Sequence, residues 1–464
     1  MTKASVVPTA GSVSTQPVPQ AVRPVRSRTA FIGLAAALVL MAAGILVPFL
    51  TGWDVHVRSF PPLHANWMPR VGPGTVPAIA LAIAAVVFAP WVAARLRWGW
   101  LLLVCFGYGL AWMLALATVD GLAGIGHILD TSYEYLNTAR SVSDLGAVLR
   151  EYVSRIPLHS ADHWPVHIAG HPPGALFFFV ALVHLGLGSG LAAGFAVTVI
   201  ASTTAVAVLI TLRRLGAETA ARRAAPLIVL APAAVWMAVS ADAVFGAFAA
   251  WGLCCLAYSA RAALGWRLIV WAVAAGLALG YCVMMSYGLP VLGVLALAVL
   301  VAARSWRPLP WAAGSAAAVV LAFAAGGFAW WEAYPVLVRR YYDGVQKNRP
   351  YSYWVWGNLS ALAFSAGPLV GSAVAAAIAR ARRVIRSVPS ETRTVVLLAL
   401  AGFACVLLAD LSGMSKAEVE RIWLPFEPWM LVGTALLSAR WRRWGLAIQL
   451  VVALLVQHLL FTGW

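Results

Sequence analysis

The sequence predicts an all-α polytopic membrane protein with about thirteen transmembrane helices. Three observations carry this expectation. The chain of 464 residues is 62% hydrophobic and only 11% charged, with a mean hydropathy of +0.85. Its apolar runs are about 17 to 23 residues long, enough to cross a hydrocarbon layer of about 30 Å, whereas a membrane β-barrel would give short alternating segments. Between these runs lie short basic clusters: Arg95 and Arg97, Arg213 to Arg223, Arg304 and Arg307, Arg380 to Arg393, and Arg440 to Arg443. Such spacing is expected of cytoplasmic turns under the positive-inside rule.

The same distribution disposes of a nucleic-acid partner. A formal net charge of +17 would serve nucleic acid if it formed one basic face, but here it is spread over membrane turns. The five cysteines, Cys105, Cys254, Cys255, Cys282 and Cys405, all fall inside apolar runs. There they act as small hydrophobes, and neither a disulfide nor a metal cluster is expected.

Residues 1–28 are rich in Pro, Ser, Thr and Val and end in Arg23, Arg26 and Arg28. They have no apolar period and read as a disordered cytoplasmic tail, and the run that follows is too long for a signal peptide. Spans are expected at 29–51, 74–93, 99–119, 190–212, 225–241, 243–260, 267–283, 289–303, 309–329, 357–379, 392–411, 423–438 and 444–462. With the basic clusters inside, loops 52–73, 120–189, 330–356 and 412–422 fall outside. The apolar segment 172–188 opens on two prolines and closes on glycines. Were it to cross, the Arg213 to Arg223 turn would move outside, so it reads as a re-entrant or shallow helix. Four regions follow: the tail, an N-terminal hairpin at 29–98, a chemical module at 99–262, and a C-terminal region at 263–464 with further outer loops.

The chemistry concentrates between Asp130 and Gly174. Within this stretch and just before it lie His127, Asp130, Glu134, Asp144, Glu151, His159, Asp162, His163, His167 and His171. Asp130 stands about ten residues beyond the third span, followed by Tyr133, Glu134 and Tyr135, and the loop closes on His171-Pro172-Pro173-Gly174 before Phe177, Phe178 and Phe179. A carboxylate at the membrane surface is suited to act as general base on a hydroxyl. Asp54 and Asp120 compete for that role but lack the tyrosines and the His-Pro-Pro element. Asp242 lies between two apolar runs, where a carboxylate is costly and a functional role is the default, with a helix N-cap as the plain alternative. Late in the chain, Lys416, Glu418, Glu420 and Arg421 enter an apolar run with Glu427 deeper. Arg349 sits in an outer stretch dense in tyrosine and tryptophan, which suits an interfacial belt or sugar stacking.

The ordered set of acid, tyrosines, His-Pro-Pro, basic turn and second acid resembles the GT-C superfamily of integral-membrane glycosyltransferases. The similarity is greatest to the branch of protein O-mannosyltransferases and lipid A aminoarabinose transferases, and it covers roughly residues 99–262. Many relatives carry a second carboxylate directly after the first, where this chain has Thr131, with Glu134 as a nearby substitute. The resemblance implies a GT-C-like fold in the inner (plasma) membrane, with an outer-face catalytic loop bearing short interfacial helices. It implies a polyprenyl-phosphate-linked sugar donor and a glycan, glycolipid or protein acceptor. Asp130 is then the base, while His171, Arg421, Glu420, Tyr133, Glu134, Asp242 and Arg349 bind the donor phosphate or sugar. No cofactor is required; a divalent metal is used by some members, and His159, His163 and His167 could bind one, although in a wet loop they read as plain surface residues. The main alternative from another class is a multi-pass lipid or small-molecule transporter, which would show ionisable groups near mid-span and broken helices.

Overall fold

The computed structural model describes residues 24–384 and 390–463, so most of the expected tail lies outside the described residues. Among the described residues the structure is mainly helical, and the one sheet is the two-residue pairing of Asn66–Trp67 with Leu460–Phe461. Among the described residues, seven helices are long and apolar enough to cross a membrane: Ser27–Thr51, Thr75–Arg95, Trp98–Asp120, Gly190–Arg214, Ala241–Ala260, Trp266–Met285 and Glu391–Leu411. Two further pairs pass together but bend sharply, Leu309–Ala325 with Trp330–Asp343 by 74° and Tyr351–Ser365 with Leu369–Val384 by 107°. This is an all-α polytopic membrane protein with seven to nine apolar helices of spanning length among the described residues, where the sequence has thirteen apolar runs.

Several of the apolar runs are interrupted, for local reasons. The run at 225–241 contains Pro226 and Pro232 and breaks into Glu218–Val229 and Ala234–Met237. A proline inside a helix removes a donor and crowds the preceding turn. The run at 289–303 gives only the 12-residue helix Leu292–Ala303 after a tight turn. The run at 423–438 is built from the short helix Glu427–Leu431 and a 3₁₀ turn, Val432–Leu436. The last run becomes a 21-residue helix, Ala439–Leu459, whose first turns hold Arg440, Arg442 and Arg443.

Four long helices start on serine. Ser189, Ser240, Ser390 and Ser438 each accept a hydrogen bond from the backbone N–H three residues on, at Ala192, Ala243, Arg393 and Trp441. A serine oxygen there satisfies one of the orphaned donors of the first turn, stabilising each start by about 1 kcal/mol. Asp242 is therefore not the cap of its helix; Ser240 is.

Contacts sort the loops to two ends of the bundle. At one end Val25 N donates to the Leu436 carbonyl, Arg222 to the carbonyls of Ala93 and Leu96, and Arg380 to that of Pro24. The Arg213 guanidinium lies over Trp98, and Thr219 N donates to Glu391. The basic turns thus share this end. At the other, Arg349 meets the segments around His56 and Lys416, and Arg340 donates to the carbonyls of Ile156 and Trp164. The apolar helix Pro173–His184 lies at this second end throughout: Gly174 abuts Met284 near the end of its helix, and the Gly188 carbonyl accepts from Arg140. At 12 residues it is about 18 Å long, too short to cross.

Candidate functional site

The polar core of the second end is built around Arg421, which is 5% exposed. It sits in a single turn, Val419–Ile422. Its Nη1 donates to Asp242 Oδ2 at 2.6 Å and its Nη2 to Glu418 Oε2 at 2.9 Å. Glu418 immediately precedes this turn, at positive φ, and its side chain folds back onto Arg421. Asp242 reaches the same guanidinium from the first turn of Ala241–Ala260, where the helix N-terminus also favours a carboxylate.

A histidine extends the network toward the first catalytic-loop candidates. Arg421 Nη2 lies 3.3 Å from His167 Nε2, and His167 Nδ1 lies 2.7 Å from Glu134 Oε1. A guanidinium can only donate, so Nε2 accepts and Nδ1 carries the hydrogen that Glu134 receives. Glu134 and Asp242 are both 3% exposed. One turn further on, His171 Nδ1 faces the His167 carbonyl at 2.7 Å and the Tyr135 hydroxyl at 2.8 Å. A carbonyl only accepts, which leaves the lone pair of His171 on Nε2. Burial lowers the His171 pKa, against the nearby Asp242 carboxylate, so the ring is held neutral.

Three more loops contribute. Arg349, 3% exposed, donates through Nε to the His56 carbonyl at 3.1 Å and through Nη1 to the Lys416 carbonyl at 2.6 Å. Its Nη1 also lies 3.5 Å from Glu418 Oε1. Burial opposes ionisation of Glu418, yet the Arg421 and Arg349 guanidinium groups hold its carboxyl well below the usual carboxylate range. Glu420 points away from Arg421 and accepts a hydrogen bond from the backbone N–H of His64 at 3.1 Å. Burial raises its pKa to about 7, despite that bond. Glu427 accepts from the Ser365 hydroxyl rather than supporting Arg421.

Of the sequence-derived site residues, Glu134, His171, Asp242, Arg349, Glu420 and Arg421 gather in this one region. Asp130 does not join their hydrogen bonds. It ends a short 3₁₀ turn, Ile128–Asp130, and pairs with Arg140 at 2.5 Å, with both side chains about one-third exposed. Tyr133 is 61% exposed, and the tyrosine turned inward is Tyr135, which stacks on Phe179 with ring centroids 4.9 Å apart. Sequence reasoning passed over His167 as a surface histidine, although its four-residue spacing from His171 places both on one helical face. It also left Glu418 without a role. His64 had no signal at all, since it arrives from the loop of the N-terminal hairpin. Among the described residues no three His, Cys, Asp or Glu side chains converge to hold a metal ion.

No family model, curated protein or solved structure matches the chain.

Proposed function

We propose that this protein is a membrane-embedded glycosyltransferase that moves a sugar from a polyprenyl-phosphate donor to an envelope glycan, glycolipid or protein acceptor on the outer face. The observation that carries the reading is the buried Arg421–Asp242 pair with Arg349 beside it, at the end of the bundle opposite the basic turns. A departing phosphate develops charge that a preorganised guanidinium offsets in a water-poor site. Asp242 orients Arg421, and His171 presents a neutral ring at the same place.

In an inverting displacement the base works on the face of the sugar opposite the leaving group. A carboxylate bonded to the phosphate-binding arginine is on the wrong side for this, which argues against Asp242. Asp130 is only four residues from Glu134, so their Cα atoms are at most about 14 Å apart. It stands outside the arginine cluster, is open to an acceptor from water, and is paired with Arg140. On this reading Asp130 takes the hydroxyl proton, the acceptor oxygen bonds to the anomeric carbon, and the carbon–oxygen bond to phosphate breaks. The test is turnover of labelled polyprenyl-phosphate sugars by purified protein, with Asp130→Asn beside the wild type. Release of polyprenyl phosphate by the wild type alone supports the assignment, and equal release by both removes Asp130.

A second reading is favoured by one observation, the two helix pairs bent by 74° and 107°. Discontinuous helices are a feature of secondary transporters. Counterflow of the same lipid-linked sugars in proteoliposomes, without release of polyprenyl phosphate, would select it.

A further inference from the structure

The segment leading into Arg421 is held in an uncommon conformation. Ala417 and Glu418 are consecutive non-glycine residues at positive φ, 70° and 62°. Left-handed backbone costs a residue with a Cβ, and such strain persists only where the surroundings enforce it. Here they do. Asn358 Oδ1 accepts from Ala417 N at 3.2 Å, and its Nδ2 donates to the Ser415 carbonyl. Arg349 holds the Lys416 carbonyl at 2.6 Å, and the Tyr341 hydroxyl accepts from Lys416 N at 2.9 Å.

The consequence is one side-chain placement. Glu418 puts Oε2 on Arg421 at 2.9 Å and Oε1 toward Arg349 at 3.5 Å. A carboxylate with an oxygen on each of two guanidinium groups occupies the position that two oxygens of a phosphate would take. The Glu418 side chain is 20% exposed, while those of Arg349 and Arg421 are 3% and 6% exposed. Glu418 is thus the accessible member of the trio, on a strained segment, and its withdrawal uncovers two arginines aimed at one point. Asp242 keeps its own bond to Arg421 and would hold the guanidinium in place meanwhile.

We infer that Arg349 and Arg421 form a binding site for a phosphate group, and that Glu418 fills this site in the present conformation and gives way when the phosphate enters. The inference rests on the proposed polyprenyl-phosphate chemistry for the source of that phosphate. Release of the Ala417–Glu418 strain offsets part of the cost of breaking the Glu418 contacts. Neutralising Glu418 therefore raises affinity for the incoming anion.

The experiment uses the full chain in detergent micelles, with native mass spectrometry reading the binding of decaprenyl phosphate, decaprenol and inorganic phosphate. Glu418→Gln and Glu418→Ala are both made, so that poor folding of one leaves the other decisive. Both variants are expected to bind decaprenyl phosphate at least ten-fold more tightly than wild type, with decaprenol binding unchanged. A parallel gain for inorganic phosphate assigns the site to the free ion as well; a gain confined to decaprenyl phosphate assigns it to the lipid headgroup. Wild-type binding of decaprenyl phosphate with no gain in either variant overturns the displacement and leaves the transferase reading intact. Failure of all three proteins to prefer decaprenyl phosphate over decaprenol overturns both.

Discussion

Arg421 and Asp242 lie 179 residues apart in sequence and meet at 2.6 Å, each almost wholly buried. The pair joins the turn at Val419–Ile422 to the start of the Ala241–Ala260 helix. Removing one partner of such a pair leaves an uncompensated buried charge, at about 3–5 kcal/mol, whereas neutralising both is far milder. Arg421→Gln or Asp242→Asn alone is expected to lower the unfolding midpoint in detergent markedly. The double variant should lose clearly less than the sum of the two. Simple additivity would mean that the two groups do not depend on each other.

Stability should also fall as the medium turns from acid to neutral, and Glu420 is the reason. Burial raises its folded pKa to about 7, from an ordinary 4.5. Between those values the folded state binds more protons than the unfolded state, so stability is fully present below about pH 4.5 and declines up to about pH 7. The amplitude is on the order of 3 kcal/mol at 1.36 kcal/mol for each unit. Glu418 acts in the opposite sense, because its folded pKa lies below the ordinary value, and its contribution is lost only as pH falls below about 4.5. Thermal unfolding from pH 4.5 to 8 should slope downward in the wild type and be flatter in Glu420→Gln. A slope unchanged in that variant would assign the dependence to another group.

These cases show what was legible beforehand. Asp242 and Arg421 announced themselves because an ionised group at the edge of an apolar run is expensive, and only a partner or ligand keeps it there. That partner could not be read, since nothing in local spacing links residues 242 and 421. Glu134 and Tyr135 were visible as part of a polar cluster, but which tyrosine turned inward depended on Phe179 and His171, distant packing that no short pattern encodes. His64 was invisible for the same reason. The interruptions within the apolar runs were hidden for a different reason. Hydropathy windows register apolar content, while Pro226, Pro232 and the short turns at 419–436 decide whether that content forms one unbroken helix.

Asp130 offers a separation of activity from stability. Its ion pair with Arg140 is about one-third exposed on both sides, and exposed pairs contribute roughly 0–1 kcal/mol. Asp130→Asn should therefore leave the unfolding midpoint nearly unchanged. If the aspartate is the general base, sugar transfer should fall by about 10²- to 10⁴-fold. Arg140→Gln is expected to give a smaller loss of transfer, since it removes the ion pair that positions the Asp130 carboxylate. A large loss of transfer in Asp54→Asn, with Asp130→Asn fully active, would relocate the base to the first outer loop.

The N-terminal hairpin reads in sequence as an addition, yet its first helix is wedged into the bundle and its loop reaches the site. Gly33 of Ser27–Thr51 and Gly371 of Leu369–Val384 approach so closely that a Cβ on either would collide with the carbonyl oxygen of the other. Small residues let helix backbones approach in a membrane, where packing rather than the hydrophobic effect drives association. The same helix leads into the loop whose His56 carbonyl accepts from Arg349 and whose His64 N–H donates to Glu420. Gly33→Leu must push the two helices apart, and overpacking of this kind costs about 1–3 kcal/mol. It should also shift the His64 and His56 contacts, so that phosphate-ligand binding weakens along with stability although residue 33 lies far from Arg349 and Arg421. Gly107→Leu provides the comparison, because a Cβ at Gly107 meets nothing within 4 Å; it is expected to change neither property. Equal behaviour of the two variants in thermal unfolding and ligand binding would sever the first helix from the site.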